Sequence, residues 1–161
     1  MSVSNIAKPR IGVATPEQLR SVSGLEFLRR VAAGALPAPP IAETLNFALR
    51  AVEHGRVVFA GTPAFRFYNP LGAVHGGWAA ALLDSCMGCA VHSALEAGQG
   101  YTTLELKVNF VRALSERTGE IEAEGRLLHA GRRVATAEGR LRGADGTLYA
   151  HGTTTCLILG A

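Results

Sequence analysis

An aspartate stands in the middle of a stretch with almost no other polar residue. Asn69-Pro-Leu-Gly-Ala-Val-His75-Gly76-Gly77 runs straight into Trp78-Ala-Ala-Ala-Leu-Leu-Asp84-Ser-Cys-Met-Gly-Cys-Ala-Val-His92. From Gly77 to Leu95 the segment is apolar or small on nearly every side, the composition of a helix wrapped by protein. A carboxylate two turns into such a helix lies beyond the reach of the helix dipole and beyond any capping position. Something other than helix formation must hold Asp84 there. Glycines at 76 and 77 let the backbone approach a ligand closely, because no Cβ intervenes. A carboxylate, an aligned water and an N–H at a helix start suffice to open a reactive carbonyl without a metal. The same stretch contains a formal CxxC, Cys86-Met-Gly-Cys89. A redox pair belongs at a helix N-terminus, where the thiolate is stabilised; this one lies mid-helix and reads as small core filler.

The elements that must position these residues follow from periodicity and punctuation. Thr15-Pro16-Glu17-Gln18 offers an N-cap, a proline at the first helical position and a capping-box Gln. Ser23-Gly-Leu-Glu26 repeats the capping pattern, with Leu25, Leu28 and Ala32 on one face and Gly34 as the stop, so two short helices are expected. Pro37-Ala-Pro39-Pro40 reads as a short extended connector. Leu45 to Glu53 and Arg56 to Gly61, separated by His54-Gly55, form a hairpin, with His54 as a turn residue. After the helix, which the pattern carries to near Gly98, come four segments of strand character. Leu104-Glu-Leu-Lys-Val-Asn-Phe110 alternates strictly, as a half-buried antiparallel strand does. The run from Glu120 to Leu127 turns Ile121, Ala123, Gly125 and Leu127 inward. Between Arg133 and Arg142 the inward set is Ala135, Ala137, Gly139 and Leu141, small enough for a helix to approach. Asp145-Gly146 is a hairpin signal, and Thr147 to Leu159 is the last strand. The expectation is an α+β fold in which about six antiparallel strands curl around one long helix. One sheet and one helix leave edges and a helix flank uncovered, so self-association is expected.

At 161 residues the chain suits a single buried core rather than two; residues 1–40 read as an N-terminal helical extension and 41–161 as the main domain. Nearly half the residues are apolar, yet no uninterrupted run reaches membrane-spanning length. The start, with Lys8 and Arg10, has no following apolar region, so a secretory signal is not expected and the cytoplasm is the default. Three cysteines, two within the helix, do not make a disulfide framework. A net charge of +3 is too small to imply nucleic-acid binding. Almost all the basic residues are Arg, whose fork suits phosphate groups on a small ligand.

Taken together, Asn69, His75-Gly76-Gly77, Asp84, the Thr103-Leu-Glu-Leu-Lys-Val-Asn-Phe-Val-Arg112 run and Gly131-Arg132-Arg133 resemble the hotdog-fold thioesterases of the PaaI type over about Leu45 to Leu159. The resemblance implies hydrolysis of an acyl-CoA thioester, without cofactor or metal, by a homodimer that often pairs into a tetramer. It implies Asp84 as nucleophile or general base. Gly76 would present its N–H to the thioester oxygen, Asn69 would orient water or carbonyl, and Thr103 would assist the water. His75, Gly77 and Trp78 would border the substrate, and Arg112, Arg132 and Arg133 are candidates for the CoA phosphates. Each has a plainer reading. Asp84 could be a satisfied buried carboxylate, His75 a loop-fixing ring, Asn69 a loop former, Thr103 an ordinary strand residue and Trp78 core. An aryl-acyl or medium-chain substrate is the leading expectation; a non-catalytic acyl-CoA binder and a hotdog hydratase or dehydratase are the rivals. Helix geometry adds that Gly76 and Asp84, eight residues apart, are separated by ~12 Å, too far to serve one carbonyl from one chain. A two-fold dimer would bring Asp84 of one subunit opposite Asn69 and Gly76 of the other.

Overall fold

The computed structural model describes residues 10–160; the basic segment before Arg10, read above for targeting, lies outside them. Thr15 caps the first helix, α1 (Pro16–Arg20), through a reciprocal capping box with Gln18. Ser23 caps α2 (Gly24–Ala32) by accepting from the Glu26 N–H. Glu26 does not close that box, because its carboxylate reaches forward to Arg30 at 2.8 Å. The Pro37–Pro40 stretch differs from expectation. Only its first part is extended, and Pro40 starts a third short helix, α3 (Pro40–Thr44). Proline at the first helical position loses no hydrogen bond, so the same residues that break one element begin another. Strand β1 (Phe47–Glu53) therefore begins two residues later than the Leu45 of the sequence reading.

β1 and β2 (Arg56–Gly61) pair as the expected hairpin across His54-Gly55, with Gly55 at φ +73°. The long helix is α4 (Gly76–His92), and then come β3 (Gly100–Phe110), β4 (Ile121–Ala130), β5 (Val134–Gly143) and β6 (Leu148–Leu159). All six strands join one antiparallel sheet in the order β1-β2-β4-β5-β6-β3, which leaves β1 and β3 as edges. Among the described residues no helix is long and apolar enough to cross a membrane.

The sheet curls around α4, and the register explains how closely. Gly125, Gly139 and Gly152 stand opposite one another on β4, β5 and β6, forming a trough across three strands. A Cβ on Gly125 would overlap the Cys86 carbonyl of α4, and one on Gly139 would come within 2.9 Å of the Met87 Cγ. The middle turn of the helix thus rests on bare backbone. Leu82, Leu83, Cys86, Met87 and Val91 are completely buried against the sheet, with Ile121, Ala123, Ala137 and Leu141 beneath them.

The end of α4 differs from the sequence reading, and its uncovered flank agrees with it. The helix ends at His92, where the Ser93 N–H returns to Cys89, several residues before Gly98. It is also not enclosed on all sides. Gly77 is exposed, and Ala80, Ala81, Asp84 and Ser85 are half-buried. The sheet covers one side only, and an apolar composition does not distinguish a flank covered by the same chain from one left for another.

At its C-terminal end α4 is covered by the N-terminal helices. The Gly24 N–H donates to Leu95, and a side chain at Gly24 would overlap the His92 carbonyl. The His92 ring lies between Phe27 and Tyr101, at centroid distances of 5.4 and 5.6 Å. Burial holds its pKa below the ordinary 6.5. The folded state thus disfavours the charged ring, so this contribution to stability is complete above about pH 6.5 and is lost as pH falls below it. Melting scans from pH 7.5 to 5 should show a fall in Tm that His92→Phe reduces; an equal fall in both would assign the acid sensitivity to other groups.

Candidate active site

Asp84 projects from the open flank of α4 toward β3, where the Thr103 hydroxyl donates to its Oδ1 at 3.0 Å. Thr103 faces inward beside Tyr101, two residues earlier on the same strand, as a period of two requires. Asp84 Oδ2 has no protein partner among the described residues. Its titratable neighbours are neutral. Burial, and after it the charge of Asp84, pushes the Cys89 thiol up to about 12. Burial also raises the Tyr101 hydroxyl well above its usual range and the Cys86 thiol with it. The CxxC cysteines are therefore protonated packing groups rather than a redox pair.

Asn69, His75, Gly76 and Arg112 gather elsewhere, around a cavity of about 440 Å³ at the start of α4. Phe110, Leu114 and Tyr149 complete much of its wall. Asn69 builds the loop: its Oδ1 accepts from Leu71 and Ala73 N–H at 2.9 and 3.3 Å. This is the Asx-type turn expected of a loop-forming asparagine. Its Nδ2 is left without a partner among the described residues. His75 is the N-cap of α4, with Nδ1 accepting from the Gly77 N–H at 2.8 Å. That bond requires Nδ1 to be unprotonated, so in this arrangement the ring shapes the loop rather than acting as an acid. Once Gly77 is capped, the Gly76 N–H has no acceptor among the described residues, at the positive end of the helix.

Trp78 turns away from both groups. It is 3% exposed, donates from Nε1 to the Leu45 carbonyl at 2.7 Å and stacks on Phe67. The three arginines also divide. Arg112 borders the Asn69 cavity, whereas Arg132 and Arg133 are exposed in the β4–β5 turn, beyond the Ala130–Ala135 pair. That pair lies in the row of Cys156 and Thr103, so these two belong to the Asp84 end of the sheet. The ten candidate residues thus fall into two separate groups and one core tryptophan.

Phe110 was not singled out from the sequence, where it is only the last apolar residue of an alternating strand. Its position follows from Gly76. A Cβ at 76 would lie 2.9 Å from the Phe110 Cζ, so the two residues share the cavity wall. Gly76→Ala keeps the N–H but pushes that ring, which is 58% exposed and can yield, into the cavity. The expected result is a kcat about 10- to 100-fold lower, less than the loss of a whole oxyanion donor, with a small change in Tm. Steady-state rates per folded molecule check this; a loss explained entirely by unfolding would contradict it.

Comparison with known proteins bears on the family and the fold. The thioesterase superfamily profile matches residues 71–150. A Pseudomonas aeruginosa protein, PA1618, named as a candidate esterase, is 34% identical over 82 residues, or 50% of this chain and 55% of that protein. The match thus spans about half the length of that curated relative. A solved structure from Ralstonia eutropha JMP134, named as a candidate thioesterase and phenylacetic acid degradation-related protein, is 34% identical; the match covers 81% of this chain and 98% of that one, with a TM-score of 0.73. The conserved protein PA5202 of Pseudomonas aeruginosa is 32% identical, with 74% of this chain and 94% of that one covered and a TM-score of 0.70. With its six strands wrapped on α4 and its glycine-opened helix, the chain belongs to the thioesterase superfamily and has the hotdog fold.

Proposed function

We propose that the protein hydrolyses acyl-CoA thioesters in sites shared between two copies of the chain. The observation that carries this reading is the geometry of the open edge strand. Thr103, bonded to Asp84, lies toward one end of β3, and Phe110, against Gly76, lies at the other. Seven residues of strand separate them by on the order of 20 Å. Pairing two β3 edges antiparallel about a two-fold axis between residues 106 and 107 sets Thr103 of one chain opposite Phe110 of its mate. Each Asp84 then faces the Gly76 N–H and Asn69 Nδ2 of the other chain, and both half-sites are completed at once. Leu104 and Phe110, each 58% exposed on that strand, favour such a contact. A pairing of two dimers into a tetramer is compatible with the apolar Leu128, Val134 and Leu159, exposed on neighbouring strands.

In the composite site the thioester oxygen lies at the Gly76 N–H, where charge develops as the carbonyl is attacked. Asp84, held through Oδ1 by Thr103, uses Oδ2 either to take a proton from water or to attack the carbonyl carbon itself. Either route breaks the C–S bond, consumes one water and releases the carboxylic acid and CoA thiol. Arg112 on one chain and Arg132 and Arg133 on the other are positioned to meet phosphates outside the cavity.

A panel of acyl-CoAs with free-thiol titration, read alongside enoyl absorbance, tests the activity. Thiol release without enoyl change is expected. Hydration of an enoyl-CoA, or binding without turnover, would replace this reading with one of its rivals.

A further inference from the structure

A second cavity, among the described residues, is larger than the one at Gly76. A chamber of about 910 Å³ lies where the N-terminal helices meet the sheet and the C-terminal half of α4, in the size range of small-molecule pockets. Phe27 and Val31 of α2 line one side, Leu49 and Phe59 of the first two strands another, and Cys89 and Tyr101 the end toward Asp84. Three features bear on its occupant. First, its lining is predominantly apolar, and no buried side-chain polar atom among the described residues lacks a hydrogen-bond partner. Arg50 and Glu120, which also border the chamber, are paired with each other at 2.7 Å.

Second, the chamber adjoins the carboxylate. Asp84 and Gly88 are one helical turn apart on the same face, and the Tyr101 ring lies on Gly88, where a Cβ would come within 2.6 Å of its hydroxyl. Thr103 and Tyr101 are likewise adjacent inward residues of β3. One step along either element leads from the Asp84–Thr103 pair to Tyr101, and the next leads to Cys89 and His92 in the chamber wall. Third, the roof is built by the segment before β1, which lies outside the part of the chain matched by the superfamily profile. Its contact with α4 is close, through Gly24 and the Phe27–His92–Tyr101 row of rings.

We propose that this chamber receives the acyl chain of the thioester, past Tyr101, so that the substrates are acyl-CoAs with a long apolar tail rather than acetyl or other short or polar acyl groups. The proposal rests on the thioesterase reading for the reaction, but not for the occupancy of the chamber. Apolar walls give selectivity by length, since each methylene that leaves water strengthens binding by about fourfold. The walls end at the α2 roof, and the roof therefore sets the length that fits.

Two readouts test it. Lauroyl-CoA should be hydrolysed with a higher kcat/KM than acetyl-CoA. Val31→Phe in the roof and, separately, Leu49→Trp in the floor should each lower the lauroyl value by about tenfold or more while leaving the acetyl value unchanged. Dodecanoate, titrated by calorimetry, should bind the wild-type protein and bind each variant about tenfold more weakly. Melting curves identify a variant that has lost its fold, in which case the other is read. Failure of dodecanoate to bind the wild-type protein, or unchanged binding in the folded variants, would overturn the proposal. If dodecanoate binding follows Val31 and Leu49 but no acyl-CoA is hydrolysed, the chamber stands and the thioesterase reading alone falls.

Discussion

Asp84→Asn is expected to lower kcat by about 10²–10⁴-fold, the usual loss for a missing base, and to leave acyl-CoA affinity and the fold nearly unchanged. The amide has the shape of the carboxylate, and its oxygen can still accept from the Thr103 hydroxyl. No buried donor is stranded, and the position is only half-buried, so the large destabilisation that follows when a buried ion pair is broken is not expected. What is lost is the ability to take a proton or attack. A variant with near wild-type kcat would make Asp84 a structural residue tied to β3 through Thr103. Single-turnover hydrolysis in ¹⁸O-water separates the two catalytic routes: label entering the Asp84 carboxylate marks it as the nucleophile.

The largest expected effect on stability is at Gly125. An added methyl there meets backbone, the Cys86 carbonyl in the middle of α4, rather than the end of a flexible side chain. Helix and sheet would have to separate along the trough. Overpacking a well-packed core costs about 1–3 kcal/mol, and Gly125→Ala should reach the upper end of that range or exceed it. Gly139→Ala is the internal control. Its methyl meets the Met87 side chain at 2.9 Å, and methionine can change rotamer, so its loss should be smaller. Urea midpoints measure the order. Equal, small losses would mean that α4 does not rest on the trough.

That trough shows what the sequence could and could not reveal. Ala135, Ala137, Gly139 and Leu141 alternate, so a close helix approach over β5 was legible from local pattern. The alignment of Gly125, Gly139 and Gly152 across three strands was not, because each hairpin register is shifted by an irregularity, at Leu127/His129 and at Leu141/Arg142, that leaves no local signal. The same distinction runs through the candidate site. Asp84 stood out because a charge in an apolar helix has no local cause, and the Asn69 and His75 caps act within a few residues of themselves. The pairing of Thr103 with Asp84 joins positions 19 apart, and the place of Phe110 against Gly76 depends on how β3 meets the start of α4. Pro40 misled for a different reason: a residue that ends extended structure also fits the first turn of a helix. The open flank of α4 was legible, because one sheet cannot cover a helix on every side, but apolar composition does not name the partner that covers it.

The central claim is that each site takes Asp84 from one chain and Gly76 from another. Co-refolding Asp84→Asn with Gly76→Ala chains tests it most directly, with subunit exchange followed by mass spectrometry. Each parent homodimer has two damaged sites, whereas a mixed dimer has one site with both residues native and one with both altered. Random exchange makes half the dimers mixed, so roughly a quarter of all sites should be wild-type in composition and activity should rise well above either parent. Demonstrated mixing without any recovery above the parents would contradict the shared site.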